Sequence, residues 1–289
     1  MLKYEAAQER KLAMKNIMFL PAACAAAFIA GCATVAEPAY DTLIAHRGES
    51  KDAPENTLPA YRMAVDRGFG FECDIYLSSD KRVFSFHDTN LKRTTGVDMP
   101  CTKASWVDLV SKVDAGAWKG EQWKGTRPAL LEEILELARD GRQIYIEVKG
   151  DATDIVPYIK EILAKQKTAT PKNVLFITFS KNICRAIKAQ MPEYRVYWLT
   201  GAVNRQKQPI SAEEIVATLK ELGVDGVDQH FKPDVVTADY IAAIRSAGFE
   251  YHSWTIDTLD NACLAFSRGA QTVTTNCAKK LLDEYKSTK

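Results

Sequence analysis

The chain has no excess of charge of either sign, with 38 lysine and arginine residues against 37 aspartate and glutamate. It therefore lacks the basic footprint expected of a nucleic-acid binder. None of its seven cysteines forms a Cys-x-x-Cys pair, which speaks against a zinc or thioredoxin-like site. Cys24 and Cys32 fall in the apolar N-terminal region, leaving Cys73, Cys101, Cys184, Cys263 and Cys277 in the body. In an oxidising compartment these could form one or two disulfides, in a pairing that spacing does not assign. Beyond the N-terminus no apolar run approaches the ~20 residues that cross a bilayer. There is no repeat of fixed period and no low-complexity tract. Histidine is scarce, four in 289 residues, so the position of each carries information.

From Met14 a short basic start leads into an apolar stretch and small residues, the layout of a secretory signal. It ends Ile29-Ala30-Gly31-Cys32, which resembles the lipobox of bacterial lipoproteins. Cys32 is thus expected to become the acylated first residue, each buried methylene adding ~0.8 kcal/mol of membrane affinity. An ordinary cleaved signal with a chance Gly-Cys is the alternative. The chain reads as a signal peptide over 1–32, a tether over 33–40 and one barrel-sized body over 41–289. It is expected to be exported and held at a membrane, on the periplasmic or cell-surface side. The charged residues Glu5, Glu9, Arg10 and Lys11 sit awkwardly ahead of such a signal and place the translation start at Met14.

After residue 40, short apolar runs alternate with amphipathic stretches. Strands are predicted to start at 42, 69, 143, 174, 195, 226, 251 and 271, with helices after Asn56 and over 130–138, 154–166, 181–190, 212–222, 238–247, 259–268 and 278–285. The rhythm points to an α/β fold, a closed (β/α)8 TIM barrel, because eight parallel strands close around a filled core. An open doubly wound sheet is the runner-up. A further β-like run over 82–86 and an insertion over 89–127, carrying Trp106, Trp118 and Trp123, separate the second and third strands. A connection of that length reads as functional or as a small subdomain. Its tryptophans are expected to cap the mouth or to meet lipid headgroups.

Two histidines directly follow apolar runs, in Leu43-Ile44-Ala45-His46-Arg47-Gly48 and Val83-Phe84-Ser85-Phe86-His87-Asp88. Both are predicted at C-terminal strand ends, the rim where such barrels carry their active sites. One histidine there is usually structural, but two facing one mouth suit proton transfer. In Phe71-Glu72-Cys73-Asp74-Ile75, two carboxylates stand at i and i+2 of a strand and share a face. Buried like charges repel unless a cation neutralises them, and a hard divalent metal meets that need. Glu147, in Ile144-Tyr145-Ile146-Glu147-Val148-Lys149, adds a third acid at a strand end. Singly, each acid reads as a solvated rim charge; together they read as a metal site. His230, expected in a loop, and His252, expected in a strand, read as structural, and the acids of 130–137 as a solvated helix face.

These segments together resemble the glycerophosphodiester phosphodiesterases. The resemblance rests on His46-Arg47-Gly48, Pro54-Glu55-Asn56-Thr57, Glu72-x-Asp74, His87-Asp88, Leu91-x-Arg93-Thr94-Thr95-Gly96 and Glu147-x-Lys149, in the family's order, and spans residues 42–277. It implies a barrel with a segment inserted after the second strand. It also implies one Ca²⁺ or Mg²⁺ held by Glu72, Asp74 and Glu147, with His46 and His87 as general acid and base. Arg47 and Lys149 would contact the phosphate of a glycerophosphodiester being hydrolysed to glycerol 3-phosphate and an alcohol. The chemistry is consistent: an anionic diester needs its charge offset before attack. Imidazole, with an unperturbed pKa of about 6.5, can donate or accept a proton. Which histidine takes which role stays open, as does whether water or the neighbouring glycerol hydroxyl attacks first. Trp254 matches an aromatic often found at the end of the seventh strand, and either walls the alcohol pocket or is barrel packing.

Two positions depart from the family pattern. The Asp-Gly turn before the second histidine is Asp80-Lys81, and the closing Thr-Asp is Thr275-Asn276. Neither is expected to touch the metal or proton-transfer set, so both bear on substrate fit. Two other functions compete: a phospholipase D-like phosphodiesterase acting on lysophospholipid or sphingolipid, and a barrel that binds phosphorylated ligands without turnover. A pure binder has no need of a histidine pair. Oligomeric state is not indicated.

Overall fold

The computed structural model describes residues 36–138 and 142–289. The signal expected over 1–32, with Cys32, lies outside the described residues. Apolar runs become strands β1 (Leu43–Ala45), β2 (Gly70–Leu77), β3 (Val83–Ser85), β4 (Ile144–Val148), β5 (Val174–Thr178), β6 (Arg195–Thr200), β7 (Gly226–His230), β8 (Glu250–Trp254) and β9 (Val273–Thr275). Eight of them are parallel and run in the order β1-β9-β8-β7-β6-β5-β4-β2, with β1 also pairing β2, which closes the ring. This is a (β/α)8 barrel with flanking helices. Covered by helices outside and filled within, β4 and β5 are buried along their whole length, as parallel strands with both faces covered must be. Between them the helices follow their local signals. Helix Ala212–Leu222 starts at Ser211, whose hydroxyl accepts from Glu214 N–H in a capping box, and stops at Gly223, left-handed at φ 66°.

The ninth strand changes one expectation. β3 is antiparallel to β2, with Ile75 opposite Ser85 and Leu77 opposite Val83. His87 therefore does not sit at the end of a parallel barrel strand: β2 overshoots the rim and β3 returns the chain to it. The tight turn between them puts Lys81 at φ 66°, where the family pattern has glycine. The insertion that follows has its own small core, in which Phe84, Leu91, Cys101, Leu109 and Leu130 are buried together. Trp106 packs against this core, with Arg127 over its ring, and none of the three tryptophans lines the cavity at the barrel mouth. They do not cap it, and of the three only Trp118 is exposed.

Residues 36–40, expected as tether, already lie against the barrel. Ala36 packs on the core, Glu37 meets Tyr285 and the Tyr40 ring lies tilted against Phe69 at 5.4 Å. The five body cysteines are free thiols. Inside the barrel Ile44, Tyr145, Leu175 and Tyr197 form an apolar plug. His252 stacks on Tyr197 at 4.3 Å and bonds Thr272 Oγ1 through Nδ1 at 2.7 Å. It packs inside the barrel and is not among the residues lining the cavity at its mouth.

Candidate active site

Strand register gathers the acids. Glu72 and Asp74 project inward from β2 on either side of buried Cys73, and Asp74 is paired in register with Glu147 of β4. Each of the three offers an oxygen within 4.8 Å of the others. Arg47 and Lys149 lean on this cluster, with Arg47 Nε 3.5 Å from Asp74 Oδ2 and Lys149 Nζ 3.2 Å from Asp74 Oδ1 and 2.8 Å from Glu147 Oε1. Burial, reinforced by Asp74 and Glu147, raises the Glu72 carboxyl well above the usual range; burial and Asp74 raise Glu147 to about 8. Burial acts upward on Asp74 too, but Lys149 and Arg47 outweigh it and hold Asp74 at about 2. Three carboxyls thus share two cations, and Glu72 Oε1 is buried without a hydrogen-bond partner. A cluster of oxygen donors, short of positive charge and with an orphaned oxygen, fits Ca²⁺ or Mg²⁺.

The two imidazoles line one cavity with these groups. His46 follows β1, with Nε2 3.9 Å from Glu72 Oε2, while Nδ1 meets Asn276 Oδ1 at 2.7 Å. The Asn276 amide is oriented by Asp257, whose Oδ2 accepts from Asn276 Nδ2 at 2.7 Å and whose Oδ1 accepts from Asn276 N at 2.8 Å. With its amide oxygen turned to His46, Asn276 accepts from Nδ1–H, so Nε2 carries the lone pair. Asn276 therefore does touch His46, one of the two histidines expected to transfer protons, contrary to expectation. Closure of the barrel is the reason, since β9 is the hydrogen-bonded neighbour of β1. Burial and the adjacent Arg47 push His46 down to about 4. His87 is held differently, its Nδ1 2.6 Å from the Asp88 carboxylate.

The remaining motif residues prove to be supports. Arg93 Nε bonds Asp88 Oδ2 at 2.6 Å and Arg93 Nη2 bonds Glu55 Oε1 at 2.6 Å, while Arg47 Nη1 reaches the same Glu55 oxygen at 2.8 Å. Asn56, left-handed at φ 58°, donates to Asp74 Oδ2 at 2.7 Å and accepts from Asp74 N at 3.1 Å. Such side-chain networks hold reacting groups at fixed geometry.

The far wall carries Trp254, Phe179 and Asp228. Trp254 packs edge-on against Phe179 at 5.6 Å and donates from Nε1 to the Asp228 carbonyl at 3.0 Å, so it walls the cavity. His230 ends β7 instead of lying in a loop, and stands edge-on to Trp254 at 5.3 Å. Asp228 escaped notice in the sequence, although an acid in a short apolar strand is the same signal that marked Glu72. Burial pushes its carboxyl to about 8. The folded protein thus keeps a proton that the unfolded chain releases near pH 3.8, and stability falls as pH rises through that window. Asp228→Leu should therefore gain melting temperature over the native protein progressively from pH 4 to about 8 and no further above. A pH-independent difference between the two melting curves would contradict this.

Buried acids, two imidazoles and fixed cations around one cavity of about 220 Å³ define a site suited to a phosphate ester on a parallel barrel. Residues 46–280 match the glycerophosphoryl diester phosphodiesterase family, and the chain belongs to that family of enzymes. It is similar to a glycerophosphodiester phosphodiesterase of Caldanaerobacter subterraneus subsp. tengcongensis, 32% identical over 158 residues that cover 53% of this chain and 64% of that one. A Bacillus subtilis glycerophosphodiester phosphodiesterase is 28% identical over 231 residues, 74% of this chain and 76% of that one. Among solved structures, an Oleispira antarctica phosphodiesterase in complex with the product sn-glycerol-3-phosphate superposes with a TM-score of 0.75, at 26% identity, over 85% of this chain and 96% of that one.

Proposed function

We propose that this protein hydrolyses glycerophosphodiesters to glycerol 3-phosphate and an alcohol, with His46 as general base and His87 as general acid. The observation that carries the reading is the unequal backing of two imidazoles on one cavity. His46 leans on a neutral amide and is largely enclosed, which keeps Nε2 unprotonated and ready to take a proton from the attacking hydroxyl. His87 leans through Nδ1 on the Asp88 carboxylate, which fixes the ring in place to give a proton to the leaving alkoxide. Arg47 and Lys149 bind the phosphate oxygens, and Trp254 walls the alcohol. A Ca²⁺ or Mg²⁺ held by Glu72, Asp74 and Glu147 would act as a Lewis acid on the phosphoryl group. The glycerol 3-phosphate product named for the Oleispira enzyme supports the substrate class.

The test is the purified protein with several glycerophospho-alcohols, after chelation and again after adding Ca²⁺ or Mg²⁺. Release of glycerol 3-phosphate should vanish with chelator and return with one of the ions. No release with either ion, from any of the diesters, would refute the reading.

Export and acylation at Cys32 belong to the same proposal and rest on the Ile29-Ala30-Gly31-Cys32 pattern. Cells fed a labelled fatty acid should label the native chain and not Cys32→Ala, which should move to the soluble fraction; equal labelling of both would rule the anchor out.

A further inference from the structure

Beyond the Trp254 wall, one half of the cavity lends no polar group to the chemistry above. Around the closed ring β7 lies four strands from β2 in either direction, through β4, β5 and β6 or through β1, β9 and β8. Asp228 thus faces the acid cluster across the mouth, in a largely apolar wall with Ile177, Leu199 and Trp254. It is fully buried, and neither carboxyl oxygen has a hydrogen-bond partner. Its neighbours in register do not answer it: Leu199 is apolar, and His252 is engaged by Thr272 and Glu250. A packing position avoids the cost of an unpartnered buried carboxyl simply by carrying an apolar residue. A group of this kind opening onto a cavity therefore calls for a ligand atom.

The phosphate is not that ligand, because Arg47 and Lys149, the cations that would hold it, stand on the other side with the acid cluster. Kept neutral by its burial, the acid both donates and accepts. A hydroxyl group does the same. We infer that Asp228 is a specificity-determining residue that hydrogen-bonds a free hydroxyl on the glycerol arm of the substrate, an assignment resting on the glycerophosphodiester reading. Trp254, tied to the Asp228 carbonyl, keeps that wall in place.

Titration calorimetry on the whole protein, in calcium-containing buffer, can compare sn-glycerol 3-phosphate with propyl phosphate, which has the same charge and neither hydroxyl. The native protein should prefer glycerol 3-phosphate by about tenfold or more. Asp228→Asn keeps a donor and an acceptor and should keep most of the preference. Asp228→Leu should reduce it to within about twofold while binding propyl phosphate as before, with a melting temperature at or above that of the native protein as the check that the fold survives. A native protein without the preference, or a preference that survives Asp228→Leu, overturns the assignment. So does loss of phosphocholine affinity alone in both variants, which would make the carboxyl a partner for a cationic headgroup. An intact preference that Asp228→Leu abolishes, in a protein that turns over no diester, would support Asp228 and refute only the activity.

Discussion

His46→Ala is expected to lower turnover of glycerophosphocholine at least a hundredfold, within the ~10² to 10⁴ that positioned acid–base groups contribute. The loss should fall on kcat more than on KM, because the imidazole acts on the proton of the attacking hydroxyl while Arg47 and Lys149 still hold the phosphate. Folding should survive. His46 lines a cavity, and its partner Asn276 Oδ1 also accepts from Ser50 Oγ at 3.2 Å, so no buried polar atom is left unanswered. Circular dichroism melting checks the fold, and added imidazole should restore part of the rate. Activity within tenfold of native, on a folded variant, removes His46 from the mechanism.

Glu72→Ala should cost a comparable factor for a different reason. Its Oε1 is the buried oxygen without a hydrogen-bond partner, and its carboxyl is crowded by Asp74 and Glu147. Removing it relieves like-charge repulsion at the cost of one hydrogen bond from Arg47 N–H to Oε2, of 2.9 Å. Stability should change little, whereas divalent affinity should collapse, since two remaining acids are already neutralised by Lys149 and Arg47. Glu72→Gln keeps the shape and one acceptor, and separates charge from volume. Calorimetric titration with Ca²⁺ and Mg²⁺ reads the effect directly. Unaltered ion binding by both variants would show that the cluster does not hold the metal.

Much of this was legible before any fold was known. Inward and outward projection alternate along a strand, so Glu72 and Asp74 had to share a face. Apolar runs ending in His46 and Glu147 had to end at a rim. The helices Lys181–Gln190 and Ala212–Leu222 begin and end where their local signals place them, because helix signals are contained within a few residues of chain. The hairpin that returns His87 was less visible, since a three-residue strand such as Val83–Ser85 carries no information about its direction.

What the sequence determined by itself was the inventory: eight barrel strands, two histidines and three acids, each set by side-chain period and by neighbours in the chain. What only the tertiary structure decided was who faces whom. His46 and Asn276 are 230 residues apart and meet because barrel closure places β9 beside β1, and that contact selects the histidine's tautomer. Asp228 likewise becomes an orphan only once β7 closes opposite β2. Hydrogen bonds and desolvation depend on distances through space, and those come into being when the ring closes.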